Sequence, residues 1–463
     1  MKTVLFQNQW YSFLNQKINP ITEDDYNQRM FIERIQMKKV LSLLLVFLGS
    51  MIGFIHVAFA QMQIEITGVG QSLYPIAVTR FLNESGLPAF VTDVVRSDLT
   101  NNGNFANVER GETEVAENAK PDLTMWGARR AQALAIGTIT PLPNGQYEVK
   151  YRLYDVVKNQ SLGGTTITVD RNNFRKAGHA IADDIVQRLT GERGIFSTRL
   201  SYVVHNGNRY QLMISDSDGQ NPREALSSSE PIISPSWSPD GKKVTYVSFE
   251  SKKPVIYIHE LATGKRIVLS NEKGNNSAPS WSPDGSKLAL SLSRDNNTQV
   301  YVINADGTGL RRMSRSSAID TEPQFSADGN SLYFTSDRGG SPQIYRMGIE
   351  GEASSAAKRV TFKHAYATSP RLSPDGKYMA YIARSGGFRL QLMELRSGEV
   401  ISLTQTNYDE TPTFAANGKF LLYATRVDGR PVLAAVSVDG YVKQVLRIPG
   451  SVVREPAWGP FMN

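Results

Sequence analysis

The chain of 463 residues contains no cysteine. This absence excludes disulfide bonds, thiolate metal ligands and cysteine nucleophiles. Histidine is also scarce: after the first 60 residues it occurs at positions 179, 205, 259 and 364, without the short spacing that favours a zinc site. The sequence has no G-x-S-x-G nucleophile elbow, no Walker-type phosphate loop and no complete dinucleotide-binding fingerprint. The residues therefore give no local support for a zinc site or for the enzyme classes that these motifs mark, and we expect no required cofactor.

The charge balance argues against one class of partner. The chain carries 51 lysines and arginines against 44 aspartates and glutamates, a net charge of +7, and its pI is near 9.3. A protein that binds nucleic acid usually concentrates its lysines and arginines in a dense stripe, and this sequence shows none. We therefore expect a solvated, mildly basic surface and no nucleic-acid partner.

The first 60 residues differ in composition from the rest of the chain. Residues 37–39 are a short basic start, residues 40–57 are largely apolar, and Ala58-Phe59-Ala60 fits an A-x-A cleavage site. A transmembrane helix is the alternative, but the apolar stretch is short for one and is interrupted by glycine, serine and histidine. We interpret residues 1–60 as a leader and signal peptide cleaved after Ala60, which leaves a secreted chain that does not span the membrane. Whether residues 1–36 are translated stays open.

A short phrase that recurs six times in the second half is the most informative feature present. It combines a proline, a bulky residue and, in all but the last copy, an Asp-Gly or Asn-Gly turn pair. Its bulky residues are Trp237, Trp281, Phe325, Leu372, Phe414 and Trp458. The first two lie 44 positions apart, and the later steps are close to this value. Because such a period is typical of a four-stranded blade, the repeat predicts a β-propeller.

The two ends of the repeat array complement each other. Residues 199–229 contain three predicted strands without a preceding phrase, whereas Trp458 belongs to a phrase that no strands follow. A C-terminal strand that pairs with those three strands would close the ring and remove its exposed edges. The predicted fold is therefore mainly β, with a six-bladed β-propeller over residues 197–463 that is closed by the C-terminal strand.

Residues 61–193 predict a separate small α/β domain that precedes the propeller. Apolar residues at helical spacing predict helices at residues 88–100 and 174–189, and a glycine follows each of them at a position that can end it. Runs of apolar residues predict several strands, including one at residues 122–127. Residues 190–197 are then the linker.

The domain begins with an extended segment that reaches Tyr74. Its first residues are Gln61, Met62, Gln63, Ile64, Glu65 and Ile66. Two interpretations stay open from the residues alone. The segment is either an edge strand with a frayed end, or a detachable strand that adds to the sheet edge of a partner.

The loops before each repeated proline form a second candidate site. They lead into the innermost strand of each blade, so all six should open onto one mouth of the central channel. Their notable residues are Glu230, Asn275, Asn276, Ala278, Asp320, Thr321, Glu322, Asp409, Glu410, Thr411 and Glu455. An acidic rim would attract a cationic peptide segment or a divalent cation, because hard cations prefer oxygen ligands. The aspartates of the phrase itself are explained by turn geometry.

The order of these parts resembles the TolB family, the periplasmic components of the Tol-Pal system. The resemblance rests on the signal peptide, the small α/β domain, the linker LTGERGIFSTR at residues 189–199 and the six Trp/Phe-Ser-Pro-Asp-Gly blades. It covers residues 61–463. The departures are small: Ala327 replaces a proline of the phrase, Ala416-Asn417 replaces Pro-Asp, and residues 1–36 are foreign to the family pattern.

This resemblance implies a non-enzymatic adaptor in the periplasm of a Gram-negative bacterium, which supports outer-membrane integrity and constriction during cell division. The implied partners are the outer-membrane lipoprotein Pal at the propeller mouth and the inner-membrane protein TolA at the mature N-terminus. Asn275, Ala278, Thr321 and Glu322 would fall on the Pal-binding loops, and residues 61–74 on the TolA-facing strand. A calcium ion in the channel and colicin-like toxins as further partners are compatible with this family.

One enzymatic alternative stays open. A lactonase-like hydrolase would use acidic and polar side chains around a channel calcium, and the rim could supply them. A propeller-capped serine peptidase would need a catalytic domain with a nucleophile elbow, which the sequence lacks. A third interpretation is a non-enzymatic protein of the same adaptor class that binds a sugar or peptidoglycan.

Overall fold

The structure is a computed structural model of the chain. It describes residues 73–109, 111, 113–349, 357–446, 448 and 452–462, together with the backbone of residues 62–66. These residues belong to one compact unit. None of the helices in this part of the chain is long and apolar enough to cross a membrane. The leader, the predicted signal peptide with its cleavage site, and Gln61 lie outside the described residues.

The N-terminal part contains an α/β domain. Its elements are β1 (Met62–Ile66), β2 (Tyr74–Val78), α1 (Val91–Asn102), β3 (Phe105–Asn107), α2 (Leu123–Ala128), β4 (Ala133–Pro141), β5 (Tyr147–Asp155), β6 (Gln160–Val169) and α3 (Phe174–Thr190). The sheet has the order β3-β2-β4-β5-β6, in which β2 runs parallel to both of its neighbours and the other pairs are antiparallel. Helices α1 and α3 pack on the face that carries Ile76 and Val78, and the buried Trp126 of α2 packs on the opposite face.

One segment of this domain folds differently from its prediction. Residues 122–127 were expected to form a strand, but Leu123–Ala128 is helix α2. The side chain of Asp122 accepts a hydrogen bond from the backbone N–H of Met125 at 3.1 Å. This cap satisfies a donor that the first helical turn would leave free, and it outweighs the apolar composition that favours a strand. The strand prediction is therefore wrong at this position.

The remaining strands build the propeller. They are β7 (Arg199–Asn206), β8 (Arg209–Asp216), β9 (Arg223–Ser228), β10 (Ile232–Trp237), β11 (Lys243–Ser248), β12 (Val255–Glu260), β13 (Arg266–Ser270), β14 (Asn276–Trp281), β15 (Lys287–Leu292), β16 (Gln299–Asn304), β17 (Arg311–Arg312), β18 (Asp320–Phe325), β19 (Ser331–Ser336), β20 (Gln343–Gly348), β21 (Lys358–Arg359), β22 (Ala367–Leu372), β23 (Tyr378–Arg384), β24 (Phe388–Glu394), β25 (Val400–Ser402), β26 (Glu410–Phe414), β27 (Phe420–Val427), β28 (Arg430–Ser437), β29 (Val442–Leu446) and β30 (Val452–Trp458).

Each blade is an antiparallel sheet that begins with a strand of the repeated phrase. Blades 1 to 5 are β10–β13, β14–β17, β18–β21, β22–β25 and β26–β29, and blade 6 combines β30 with β7–β9. In blade 6, Val453 lies opposite Val204 and Trp458 opposite Leu200. The first strand of each blade contacts the first strand of the next, all the way around the channel. The predicted mainly β fold with a six-bladed propeller is confirmed.

The N-terminal strand β1 does not join the sheet of the α/β domain. It pairs antiparallel with β29, the outermost strand of blade 5, with Met62 opposite Leu446 and Ile66 opposite Val442. Blade 5 is thereby extended to five strands. The segment is thus an edge strand, and the sheet edge that it covers belongs to the propeller of the same chain.

The two mouths of the propeller channel differ. We call the end at which the six inner strands begin the start mouth, and the end that carries the turns of the repeated phrase the domain-side mouth. The α/β domain and the linker contact the domain-side mouth at blade 5. Glu192 forms an ion pair with Lys419 at 3.0 Å, and the side-chain amide of Gln444 donates a hydrogen bond to the carbonyl oxygen of Asn101.

Candidate functional site: the start mouth of the propeller

The inner strand of every blade is interrupted at the same position. The residue before each repeated proline has a positive φ, between 49° and 55°. These residues are Ser234, Ala278, Glu322, Ser369, Thr411 and Glu455. The pairing register shifts across this residue and the proline in all six blades. Because β-bulges redirect side chains and occur often beside functional sites, this ring of bulges marks the candidate site.

Two of the six bulge residues are glutamates, and each connects its blade to the next one. The carboxylate of Glu322 accepts hydrogen bonds from the backbone N–H of Ser369 at 2.8 Å, from its hydroxyl at 2.7 Å and from the Thr335 hydroxyl at 2.9 Å. Glu455 Oε2 accepts one from the backbone N–H of Ser234 at 2.9 Å. Burial raises the pKa of Glu455, although the Ser234 donor opposes this. Both glutamates therefore help to hold the ring together.

The channel that runs from this ring toward the turns of the repeated phrase has a volume of about 520 Å³. Arg371 lines it together with Glu322 and Glu455, and its guanidinium donates a hydrogen bond to the Pro370 carbonyl at 2.8 Å. Burial lowers the pKa of Arg371, while the charges of the two glutamates oppose this. A calcium ion takes roughly six to eight oxygen ligands, whereas the Glu322 oxygens already have donors and Arg371 adds a positive charge. These contacts make the three side chains a weaker set of calcium ligands than the two carboxylates alone would be.

Three residues that were predicted at the rim are buried instead. Asn276, Asp320 and Asp409 are at most 2% exposed. Asp320 accepts hydrogen bonds from Arg338 Nη2 at 3.0 Å on both of its oxygens, and the Asn276 side-chain oxygen accepts one from the Ser270 hydroxyl at 2.7 Å. All three lie three positions before the proline, where the side chain points into the blade. Their side chains stabilise the loops from inside the blade. Direct contact with a partner would require these hydrogen bonds to break.

The residues one and two positions before the proline do reach the mouth. Ala278 and Thr321 are half-buried there, and Asn275 in the preceding loop is exposed. Ala278 and Glu322 line the channel. The structure therefore brings Ala278 and Glu322, which hold the same position in the repeat, together along the channel, and Thr321 precedes Glu322 on the same inner strand.

The exposed acidic residues of the rim have cationic neighbours. Glu410 lies 3.4 Å from Arg454 of the adjacent blade, and Glu230 pairs with Lys252. The sequence showed the acids at corresponding positions of the repeat but not these basic residues, which come from other positions in it. The start mouth is therefore not the uncompensated acidic surface that the loop composition suggested.

The repeated phrase itself forms hydrogen-bonded turns at the domain-side mouth. The Ser238 hydroxyl donates to Asp240 Oδ1 at 2.5 Å and accepts a hydrogen bond from the backbone N–H of Lys243 at 2.9 Å. The same serine–aspartate bond recurs at Ser282–Asp284, Ser326–Asp328 and Ser373–Asp375. These contacts explain the phrase through turn structure, as expected.

A charged cluster joins the α/β domain to blade 6, and the sequence did not indicate it. Arg175 of α3 donates to Asp216 at 2.9 Å and to Asp218 at 2.7 Å, while His179 Nδ1 lies 2.6 Å from Asp98 Oδ2. Burial opposes protonation of His179, but the charges of the surrounding aspartates outweigh it and raise its pKa to about 10. His179 and Asp98 are 81 positions apart, so no local motif could have shown this pair.

The same cluster contains residue types that bind metal ions, but their ligand atoms are already engaged. One ligand atom from each of His179, Asp216 and Asp218 lies within 4.8 Å of the others. However, the Arg175 guanidinium already donates to both of these carboxylates. A protonated histidine is also not a metal ligand. The group is therefore best described as a network of ion pairs between the domains.

A closed propeller with a bulge-lined mouth, joined to an α/β domain by ion pairs, defines the class of two-domain propeller binding proteins. Residues 62–162 match the family model of the TolB amino-terminal domain, and residues 186–462 match that of the TolB beta propeller domain. The chain belongs to the TolB family. Members of this family are generally non-enzymatic, periplasmic propeller adaptors.

One solved structure supports the same assignment. The chain is 38% identical to TolB from Acinetobacter baumannii, whose crystal structure superimposes with a TM-score of 0.79 over 87% of this chain and 100% of that one. A protein provisionally named TolB from Agrobacterium tumefaciens is 19% identical over 57% of this chain and 100% of its own, with a TM-score of 0.44. The second score is too low to carry an argument.

Proposed function

We propose that this chain is an adaptor of the Tol-Pal system, which binds the lipoprotein Pal at the start mouth and TolA through its N-terminal strand. In this role it supports outer-membrane integrity and constriction during cell division. The observation that carries the proposal is the ring of six bulges, which presents non-identical residues of the repeat at one end of an otherwise regular propeller. The proposed location is the periplasm, after cleavage behind Ala60.

The start mouth is suited to bind a folded protein such as Pal. A closed ring of sheets is rigid, so little conformational entropy is lost when a partner docks on it. Ala278 and Glu322 line the channel and the half-buried Thr321 precedes Glu322 on the same inner strand, so the proposed docking surface includes these three residues. Colicin-like toxins that use the same mouth would compete with Pal.

Strand β1 is suited to bind TolA. Its described contacts are backbone pairings with β29 at the outer edge of blade 5. A strand held at one edge of a sheet can be released at a lower free-energy cost than a central strand. Once released, the segment could add to a sheet edge of TolA by the same backbone pairing.

Substitution at Thr321 tests the Pal site. We expect Thr321→Arg to weaken binding of the soluble domain of Pal by at least about ten-fold in isothermal titration calorimetry, because a long cation at a half-buried position of the docking surface prevents close packing. Thr308→Arg places the same side chain on an exposed turn at the domain-side end and should bind Pal like the unmodified chain. Equal affinities of the two variants would remove Thr321 from the site.

Glu322 is a less informative position for this test. Its carboxylate accepts two hydrogen bonds from Ser369 that hold blade 4 against blade 3, and a third from Thr335 within blade 3. A lysine there would break these bonds as well as alter the mouth, so a loss of affinity would have two causes. Thr321 lacks this disadvantage, since its side chain makes only a 3.4 Å contact with the Ser291 hydroxyl among the described residues.

A further inference from the structure

A pocket of about 390 Å³ opens at the start mouth between blades 4, 5 and 6. Phe388 and Tyr408 line it and remain 41% and 61% exposed, and Pro431 adds a further apolar surface. Large apolar side chains that stay exposed together at a concave site usually mark a contact surface for another molecule. This pocket is separate from the central channel but shares Glu322 and Thr411 with it.

The aromatic wall of the pocket is held in place by a buried carboxylate. Asp409 accepts hydrogen bonds from the Thr406 hydroxyl at 2.5 Å, the Thr425 hydroxyl at 2.7 Å and the Thr404 hydroxyl. Its backbone N–H donates to the Phe388 carbonyl at 3.0 Å. The loop that presents Tyr408 is thus fixed before any partner arrives, which lowers the entropic cost of binding.

The pocket also contains a cation without a counter-ion. Arg426 is exposed, with its Cζ 5.3 Å from the centre of the Tyr408 ring, and its guanidinium has no ion-pair or hydrogen-bond partner among the described residues. The acids that line the pocket are already engaged: Glu410 pairs with Arg454, and Glu322 and Asp409 accept hydrogen bonds from the chain. A guanidinium stacked on a ring keeps its edge donors available for a carboxylate.

We propose that this pocket binds a partner segment in which a large aromatic or aliphatic side chain is followed by a carboxylate. The apolar side chain contacts Phe388 and Tyr408, and the carboxylate accepts two hydrogen bonds from Arg426. The inference rests on the proposed function, in which the start mouth docks a protein partner. It assigns the mouth an acidic ligand group, whereas the composition of the loops suggested a cationic one.

The first test uses the full chain and the soluble domain of Pal. We expect Arg426→Gln to weaken binding at least about ten-fold and Arg426→Lys by a smaller factor, because lysine keeps the charge but not the two-pronged donor geometry. Arg396→Gln is the matched control, since Arg396 is an exposed arginine of blade 4 at the domain-side end. Wild-type affinity of Arg426→Gln would overturn the inference and leave the proposed function standing.

A second test does not depend on Pal. The peptides acetyl-Trp-Glu-amide, acetyl-Trp-Gln-amide and acetyl-Trp-Lys-amide are titrated into the unmodified chain and into Arg426→Gln, with binding followed by NMR. The inference predicts that the glutamate peptide binds best and that Arg426→Gln abolishes this preference. Equal binding of the three peptides, or a preference for lysine, would overturn it. If Pal itself fails to bind the unmodified chain, the proposed function fails, and the peptides still decide the chemistry of the pocket.

Discussion

Replacing Asp320 with alanine should lower the free energy of unfolding by about 3–5 kcal/mol, because removing one partner of a buried ion pair leaves the other uncompensated. The Asp320 side chain is fully buried, and both of its oxygens accept from Arg338. The Ser316 hydroxyl would also lose its hydrogen bond to Asp320 Oδ2, which is 2.9 Å long, and keep only a 3.5 Å contact with the Ala318 carbonyl. Urea unfolding of the full chain, followed by circular dichroism, measures this change.

Glu410→Ala provides the matched comparison. Glu410 is an acid of the same rim, but both it and its partner Arg454 are about half exposed. Surface pairs of this kind contribute at most about 1 kcal/mol, so this variant should unfold close to the unmodified chain. If Asp320→Ala instead kept its stability and lost only partner binding, Asp320 would be a contact residue, and its assignment to loop support would be wrong.

Replacing His179 with glutamine should remove much of the pH dependence of stability on the alkaline side. The folded-state pKa of His179 is raised from 6.5 to about 10. A group with a raised pKa stabilises the fold fully below its unfolded pKa, and this stabilisation is lost as the pH rises through the folded pKa. Between pH 7 and 10 the unmodified chain should therefore lose on the order of 2–4 kcal/mol more than the variant.

The neighbouring Asp98 does not titrate between pH 7 and 10 and therefore does not contribute to this difference in stability. Burial raises the pKa of Asp98 to about 6, so Asp98 is already ionised throughout the alkaline window. His364→Gln is the control, because burial lowers the pKa of His364 and its ring is neutral above pH 7 in both states. If the free energy of unfolding changed equally with pH from 7 to 10 in His179→Gln and in the unmodified chain, His179 would not be charged in the folded protein.

The propeller could be predicted because its information is local and repeated. Trp237 and its counterparts mark the inner strands, and the Asp-Gly pairs mark turns whose geometry depends on neighbouring residues. The strand predicted at residues 122–127 failed for the opposite reason. Its composition fits either element, and the deciding contact is the cap that Asp122 provides.

The candidate site could be predicted only in part. The repeat showed which loops share a mouth, and Ala278 and Glu322, each one position before a proline, do lie together along the channel. It could not show that the residues three positions before the proline point into the blade. Their orientation depends on the bulge at the residue before the proline, which the repeat does not reveal. Asp320 was grouped with Glu322 for this reason, although only Glu322 lines the channel.

Contacts between distant parts of the chain could not be predicted. The pairing of β1 with β29 joins the first and the last part of the described chain, and backbone pairing has no sequence signature of its own. The ion pairs of Arg175 with Asp216 and Asp218 likewise depend on how the two domains meet. Both features lie outside what residue spacing can reveal.

A pull-down from envelope extract with two baits tests the adaptor function in one measurement. The first bait is the mature chain, and the second lacks residues 61–74, which include β1. If the chain binds Pal through the start mouth and TolA through the N-terminal strand, the first bait captures both proteins and the second captures Pal alone. Capture of TolA by the shortened bait, or loss of Pal from it, would contradict the assignment of the two partners to separate ends of the molecule.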